Sequence, residues 1–183
     1  MKRTFARTIA QLRWNGNNSM VILAVARARL SMPQTLEWLR NEVNGRLRAN
    51  GTLSLNRRGH QFNRFGHYTE QFAISMAVSE LLLQSVGDII RILPAYPKGM
   101  PAQFRNLLAQ GGFLVSASQR NGEIECVEVT SLFGERLRLL SPWRKAIIWS
   151  STGKVRKVTF KSPHHIIELA TQPGEHLVFK QLR

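Results

Sequence analysis

One cysteine, Cys126, stands among 183 residues, so no disulfide can close within the chain. A lone thiol reads as a small core side chain rather than a nucleophile. Acidic residues are scarce as well: 11 Asp and Glu face 26 Lys and Arg, for a formal net charge of +15. Long apolar runs are missing. The greasiest early stretch, Met20 to Ala26, is far too short to span a bilayer and runs into Arg27 and Arg29. The opening MKRTFARTIAQLRW is basic but has no sustained apolar segment before Arg13, which makes a poor signal peptide. No membrane association is expected, and the compartment stays open.

The charge invites a nucleic-acid reading, but its distribution argues otherwise. Arg27, Arg29, Arg40, Arg46 and Arg48 are spread along helical segments, and Arg136, Arg138, Lys154, Arg156 and Lys157 alternate with apolar residues. That spacing places cations on the solvated faces of amphipathic elements. No zinc-ligand cysteine pattern, basic zipper or RNP-type aromatic motif accompanies them. No nucleic-acid partner is expected, and a cationic nucleic-acid-binding protein stays only as the third and least favoured reading.

What is present is a hydrophobic content of 43%, enough for a real core. The fold class read from the pattern is α+β, helices first and antiparallel strands after. Asn15 to Ser19 form a polar turn, and Asn18 or Ser19 can cap a helix running from Ser19 to Leu30. A second helix is expected from Pro33, with Leu36, Leu39, Val43 and Leu47 on one stripe, ending at Asn50-Gly51. From Thr52 to Tyr68 no helical period survives; a connection of this length tends to be either functional or disordered, and Phe62, Phe65 and Tyr68 argue that it packs down.

A third helix is expected from Glu70 to Ser85, with Thr69 as its cap. Gln71, Ser75 and Ser79 make only a narrow polar strip on it; Phe72, Ala73, Ile74, Met76, Ala77, Val78, Leu81, Leu82 and Leu83 cover the rest. A helix apolar on nearly all sides belongs among other helices, and two are too few to enclose it. Its uncovered faces are an expected surface of association.

Beyond Gly87 the elements become short. Strands are expected at Ile89 to Leu93, Phe113 to Ser118, Ile124 to Thr130 and Arg136 to Leu140. Further strands are expected at Ala146 to Trp149, Val155 to Phe160, His165 to Leu169 and His176 to Phe179. Asn121-Gly122 between alternating runs is a strong hairpin signal, because both central residues of that turn need positive φ. These strands read as a small antiparallel sandwich over 87–183, behind a helical segment over 1–86.

At SELLLQSVGDIIRILPAYPKGMP, followed by FRNLLAQGGFLVSASQRNGEIECVEVTS, the chain resembles the C-terminal part of glycoside hydrolase family 95, the α-L-fucosidases and their relatives. The family's Glu-x-Leu-Leu-Gln-Ser run is matched by Glu80, Leu82, Leu83, Gln84 and Ser85, and its Leu-Pro-Ala-x-Pro by Leu93, Pro94, Ala95 and Pro97. Its Leu-x-Ala-x-Gly-Gly-Phe segment is matched by Leu107 or Leu108, Ala109, Gly111, Gly112 and Phe113. The resemblance covers roughly Phe72 to Trp143.

It implies that the helices are the last ones of an (α/α)6 barrel, followed by a C-terminal β-sandwich, in an enzyme that hydrolyses α-fucosyl-type linkages with inversion. The implied partner is a glycan ending in fucose or a similar sugar, with no cofactor. Inverting hydrolysis needs one carboxylic acid for the leaving oxygen and one base for the attacking water. The family's general acid lies upstream in the barrel and has no counterpart here, so the chain alone is expected to be inactive.

The family's Asp-Gly-Asn-Phe-Gly motif falls on Thr69-Glu70-Gln71-Phe72-Ala73, so its catalytic Asp is replaced by Thr69. Either Glu70 takes over as base or water-positioning residue from one position along, or the arrangement differs, or the base is lost. One residue turns a helical side chain by about 100°, and Glu70 also reads simply as an acid answering the helix dipole. His67 and Asn63 in the preceding loop, and Trp14 with Asn17, are candidate sugar-binding residues beside it. Trp38, Trp143 and Trp149 read as packing residues. A non-catalytic carbohydrate-binding protein is the second reading, with the sandwich holding glycan and the helices pairing with another chain.

Metal and phosphate chemistry find little support. His164 and His165 are adjacent on an expected strand, so their rings point to opposite faces. Gly111-Gly112 precedes no helix start and no Lys-Ser or Lys-Thr pair, unlike a phosphate loop.

Overall fold

The structure, a computed structural model, describes residues 2–12, 17–54, 66–67, 69–161 and 165–182. The chain divides into two compact units, Met1–Leu82 with Pro94–Tyr96, and Leu83–Leu93 with Pro97–Arg183.

The first unit holds helices α1 (Lys2–Gln11), α2 (Asn17–Arg29), α3 (Thr35–Asn44) and α4 (Thr69–Leu82), with the short paired strands β1 (Leu53–Ser54) and β2 (Gly66–His67). Its core is built from Met20, Val21, Ala24 and Ala28 of α2, Leu39 of α3, Leu53 of β1, and Ala77 and Leu81 of α4. Helix α1 was not anticipated. It is a basic helix with no buried residue and Phe5 exposed, so it leaves little apolar signal.

The second helix is shorter than its stripe suggests. Gln34 takes a left-handed φ of 57° and Thr35 bonds back to the Met32 carbonyl (2.7 Å), so α3 starts after Pro33 rather than at it. It stops at Asn44, and the chain then turns through Gly51 (φ 79°), with Leu47 bridged to Leu53. This corrects the reading of Arg46 as a solvated cation. Beyond the helix end it is only 1% exposed, and it bonds the Glu42 carbonyl and carboxylate.

The second unit contains β3 (Leu83–Gln84), β4 (Arg91–Ile92), β5 (Ala102–Ala109), β6 (Phe113–Arg120), β7 (Glu123–Ser131), β8 (Arg136–Leu140), β9 (Lys145–Ser150), β10 (Val155–Thr159), β11 (Ile166–Ala170) and β12 (His176–Gln181). Six of these form one sheet in the order β10-β9-β12-β7-β6-β5, while β11 pairs β8 and β3 pairs β4. All the paired strands are antiparallel. Strand β12 returns to lie between β7 and β9, so the sheet is not a simple meander.

Burial alternates along the strands. Phe113, Val115, Ala117, Val127, Val129, Ala146, Ile148, Leu177 and Phe179 are buried from the large sheet, as are Leu137, Leu139, Ile167 and Leu169 from the β8–β11 ladder. The residues between them are more exposed, as period two requires. Asn121 (φ 51°) and Gly122 (φ 81°) make the β6–β7 hairpin turn that their sequence calls for.

Strand β5 was not anticipated, and its geometry explains why. Phe104 pairs Ala117 and Leu107 pairs Val115, so Arg105 and Asn106 together stand opposite Ser116 alone. That bulge breaks the period-two pattern from which a strand is read.

Candidate functional site

Helix α4 carries the family's catalytic stretch in the sequence reading. It begins at Thr69, one residue ahead of the expected start, which puts Glu70 in its first turn, and His67 lies in β2 opposite Leu53. Asn17 is the first residue of α2. Asn63 and Trp14 lie outside the described residues, as do His60, Arg64 and Tyr68. The backbone therefore places three of the five candidates on elements of the helical unit.

At the other end of α4, Glu80 is tied down. Its carboxylate accepts bonds from Arg29 Nη2 (2.8 Å) and Nε (3.1 Å). A carboxylate in the last turn of a helix opposes the dipole, whereas Arg29, in the last turn of α2, suits it. The fork from Arg29 offsets the first and uses the second, and the bond it donates to Glu80 raises the Arg29 guanidinium above its ordinary pKa. Glu80 is thus the structural acid of its run. Nearby, Arg27 stacks over the Trp38 ring at 5.0 Å, and burial lowers its pKa.

The face of α4 away from the core is apolar and open. Phe72 is 74% exposed and Met76, one turn on, 52%. The two serines of the polar strip bond back into the helix, Ser75 Oγ to the Phe72 carbonyl (2.6 Å) and Ser79 Oγ to the Ser75 carbonyl (2.8 Å). Hydroxyls satisfied this way need no solvent and are suited to apolar surroundings.

The other blocks of the resemblance have structural work in the second unit. The turn between β3 and β4 uses Gly87 (φ 65°) and Asp88 (φ 57°), and Arg91 Nη1 closes it on the Val86 and Ile89 carbonyls. Ser85 Oγ accepts the Gln110 N–H at 3.1 Å. Gly112 has a φ of 70°, and a Cβ there would stand 2.3 Å from the Phe133 ring, so the second glycine of the pair admits no side chain without movement. Gln119, 5% exposed, donates from Nε2 to the carbonyls of Pro97 (3.1 Å) and Met100 (2.9 Å). Its parity with Phe113, Val115 and Ala117 is the sequence signal that puts it on the buried face of β6.

Cys126 is half-buried on β7. Burial, and after it the Glu128 carboxylate, pushes its thiol pKa up against the opposing pull of Lys180. Such a thiol is a poor nucleophile at neutral pH. Trp143 is a packing residue as expected, its indole N–H bonded to the Ile124 carbonyl (3.0 Å). Trp149 is not. Ala146 and Ile148 take the buried face of β9, and parity turns Trp149 outward at 37% exposed. Among the described residues no group of three His, Cys, Asp or Glu side chains converges as a metal site.

The family model for the glycoside hydrolase family 95 C-terminal domain matches residues 84–179. That is just over half of the chain. The chain belongs to glycoside hydrolase family 95. Comparison with curated proteins finds no match. The family 95 match lies almost wholly within the second unit and continues beyond Trp143 into β12, further than the resemblance reached from the sequence. It begins after α4.

Proposed function

We propose that this chain is the C-terminal part of an inverting, fucosidase-type glycoside hydrolase. Its helical unit would supply the closing helices of an (α/α)6 catalytic barrel, and its β unit the C-terminal domain. Family membership supports the glycosidase assignment. The observation that carries the barrel reading is the open apolar face of α4, with Phe72 and Met76 exposed and its serine hydroxyls turned inward. Its occupants are the remaining helices of the same barrel.

In the complete enzyme Glu70, at the positive end of α4, acts as the base or positions the attacking water, and His67, Asn63, Trp14 and Asn17 border the sugar. The proton donor for the leaving oxygen comes from the rest of the barrel, since inversion needs two carboxyl groups on opposite sides of the scissile bond. The substrate is a glycan ending in α-fucose or a similar sugar. Without the donor, the isolated chain does not hydrolyse glycosides.

The test is release of the chromophore from an aryl α-L-fucoside, by the chain alone and by the chain joined to the other helices of a family 95 barrel. Activity is expected only in the joined protein, falling about 10²- to 10⁴-fold in the Glu70→Gln variant. Hydrolysis by the isolated chain, or an unaffected Glu70→Gln enzyme, overturns the proposal.

A further inference from the structure

We infer that the outward face of the six-stranded sheet holds a second saccharide site, in the cleft across β5, β6 and β7. The cleft has a volume of ≈ 360 Å³ and is lined by Gln103, Asn106, Ser116, Ser118, Cys126 and Glu128, with Arg105 beside them. All belong to the β unit. No residue of the barrel reading contributes to it, so it is not the hydrolytic site.

Its shape has a cause in the strand pairing. A flat sheet face offers no cleft, but two bulges flank β6 here. On one side Arg105 and Asn106 stand against Ser116; on the other Ser118 pairs Cys126 while Gln119 pairs Ile124, leaving Glu125 as the extra residue. Bulges bend the strand, add twist and re-aim side chains, and they gather next to functional sites. The first of them holds strain: Asn106 adopts φ 54°, which an L residue reaches at some cost. Ser116 Oγ fixes it by accepting the Asn106 N–H at 3.0 Å. The result is an amide set in the cleft by backbone geometry rather than by a flexible side chain.

The chemistry of the lining selects the ligand. Two carboxamides, two hydroxyls and one carboxylate line the cleft, a mix of donors and acceptors that suits a ring bearing adjacent hydroxyls, with Ser116 Oγ also donating to Asn106 Oδ1 at 3.4 Å. A phosphate or nucleic acid would want several cations in the lining, whereas the lining holds Arg105 and the opposite charge of Glu128, with His176 Nε2 3.9 Å from Glu128 and Lys180 acting on Cys126 from beside it. Across the sheet the row continues. Ser116 pairs Glu128, Glu128 pairs Val178, and Val178 pairs Trp149, whose exposed indole gives a flat apolar surface for the C–H face of a pyranose. The assigned ligand is a neutral oligosaccharide. The inference shares with the proposed function only the saccharide class, and binding here does not require hydrolysis.

Because Cys126 is the one cysteine and lines the cleft, its alkylation reports occupancy. The full chain is treated with iodoacetamide, and modification is followed by mass, without and with lactose, fucosylated lactose, cellobiose and mannobiose. At least one is expected to slow modification, about tenfold when present at ten times its dissociation constant. Asn106→Gly, which keeps the left-handed backbone while removing the amide, combined with Glu128→Gln, is expected to abolish that protection with an unchanged melting temperature. The site is overturned if no saccharide protects the thiol, or if protection survives in the double variant. Loss of fucoside hydrolysis in the joined enzyme, by contrast, leaves this readout untouched, so the two proposals fail separately.

Discussion

Arg29 and Glu80 meet in a two-point fork, with N···O distances of 2.8 and 3.1 Å, that ties the last turn of α2 to the last turn of α4. Glu80 lies just ahead of the residues matched by the family model, and its part is to hold two helices together. With the Arg29 side chain 48% exposed and the Glu80 side chain 15% exposed, the pair is only partly screened. A double-mutant cycle of Arg29→Met and Glu80→Gln is expected to return a coupling of about 1 kcal/mol in denaturant unfolding, at the upper end for a solvent-accessible bidentate pair. A coupling indistinguishable from zero would show that the fork contributes nothing to the helix pair.

Gly134 and Gly153 provide a matched contrast. Both have positive φ, 78° and 84°, but a Cβ at Gly134 would stand 2.7 Å from Pro173 Cδ, while at Gly153 nothing lies within 4 Å. Gly153→Ala is expected to cost about 1 kcal/mol, the left-handed penalty alone. Gly134→Ala is expected to cost more than about 2 kcal/mol, because the proline ring cannot swing aside. Equal losses in chemical denaturation would contradict the steric account.

Gln119 is a buried amide whose donor serves the turn carbonyls ahead of β5. Replacing it with Leu keeps the volume but strands those acceptors, so a loss of about 1–3 kcal/mol is expected. Thermal melting that matches the wild type would mean that solvent already serves them.

Cys126 predicts an alkaline dependence. Its thiol is held above the ordinary pKa by burial first and Glu128 second, so on raising the pH the unfolded chain loses this proton before the folded one. The folded state then binds more protons, and stability must fall as pH rises. The contribution is whole below the unfolded thiol pKa of about 8.5 and is lost as pH climbs through the folded value. Cys126→Ser is expected to flatten that part of the pH–stability curve. An unaltered slope between wild type and variant assigns the decline to other groups.

Most of the β unit was legible because alternation is a local signal. The strand from Arg136 to Leu140 was placed residue for residue, and the Asn121-Gly122 turn lay where its chemistry demands. Where alternation is interrupted, legibility ends: the Arg105-Asn106 bulge concealed β5 and with it one wall of the cleft. Trp149 was misjudged because its size suggested packing, although the parity set by Ala146 and Ile148 points it outward. Arg46 was misjudged because the apolar stripe carried the second helix past its true end at Asn44. The proposal of Glu70 and its companions rests on family motifs alone, since no local period marks a catalytic carboxylate. The cleft joins residues from three strands, a coincidence that spacing along one strand cannot reveal.

The outward face of α4 is proposed above as an interior surface that receives other helices, and one pair of substitutions tests that directly. Phe72→Ser with Met76→Ser removes the two most exposed large apolar side chains among the described residues of that helix. Fluorescent-dye binding to exposed apolar surface and the melting temperature are then measured on the same protein. The prediction is less dye bound and a melting temperature unchanged within about 2 °C, since exposed positions away from the core contribute little to stability. A melting temperature lowered by about 10 °C or more, the mark of core residues removed, would show that these side chains already have their partners within this chain.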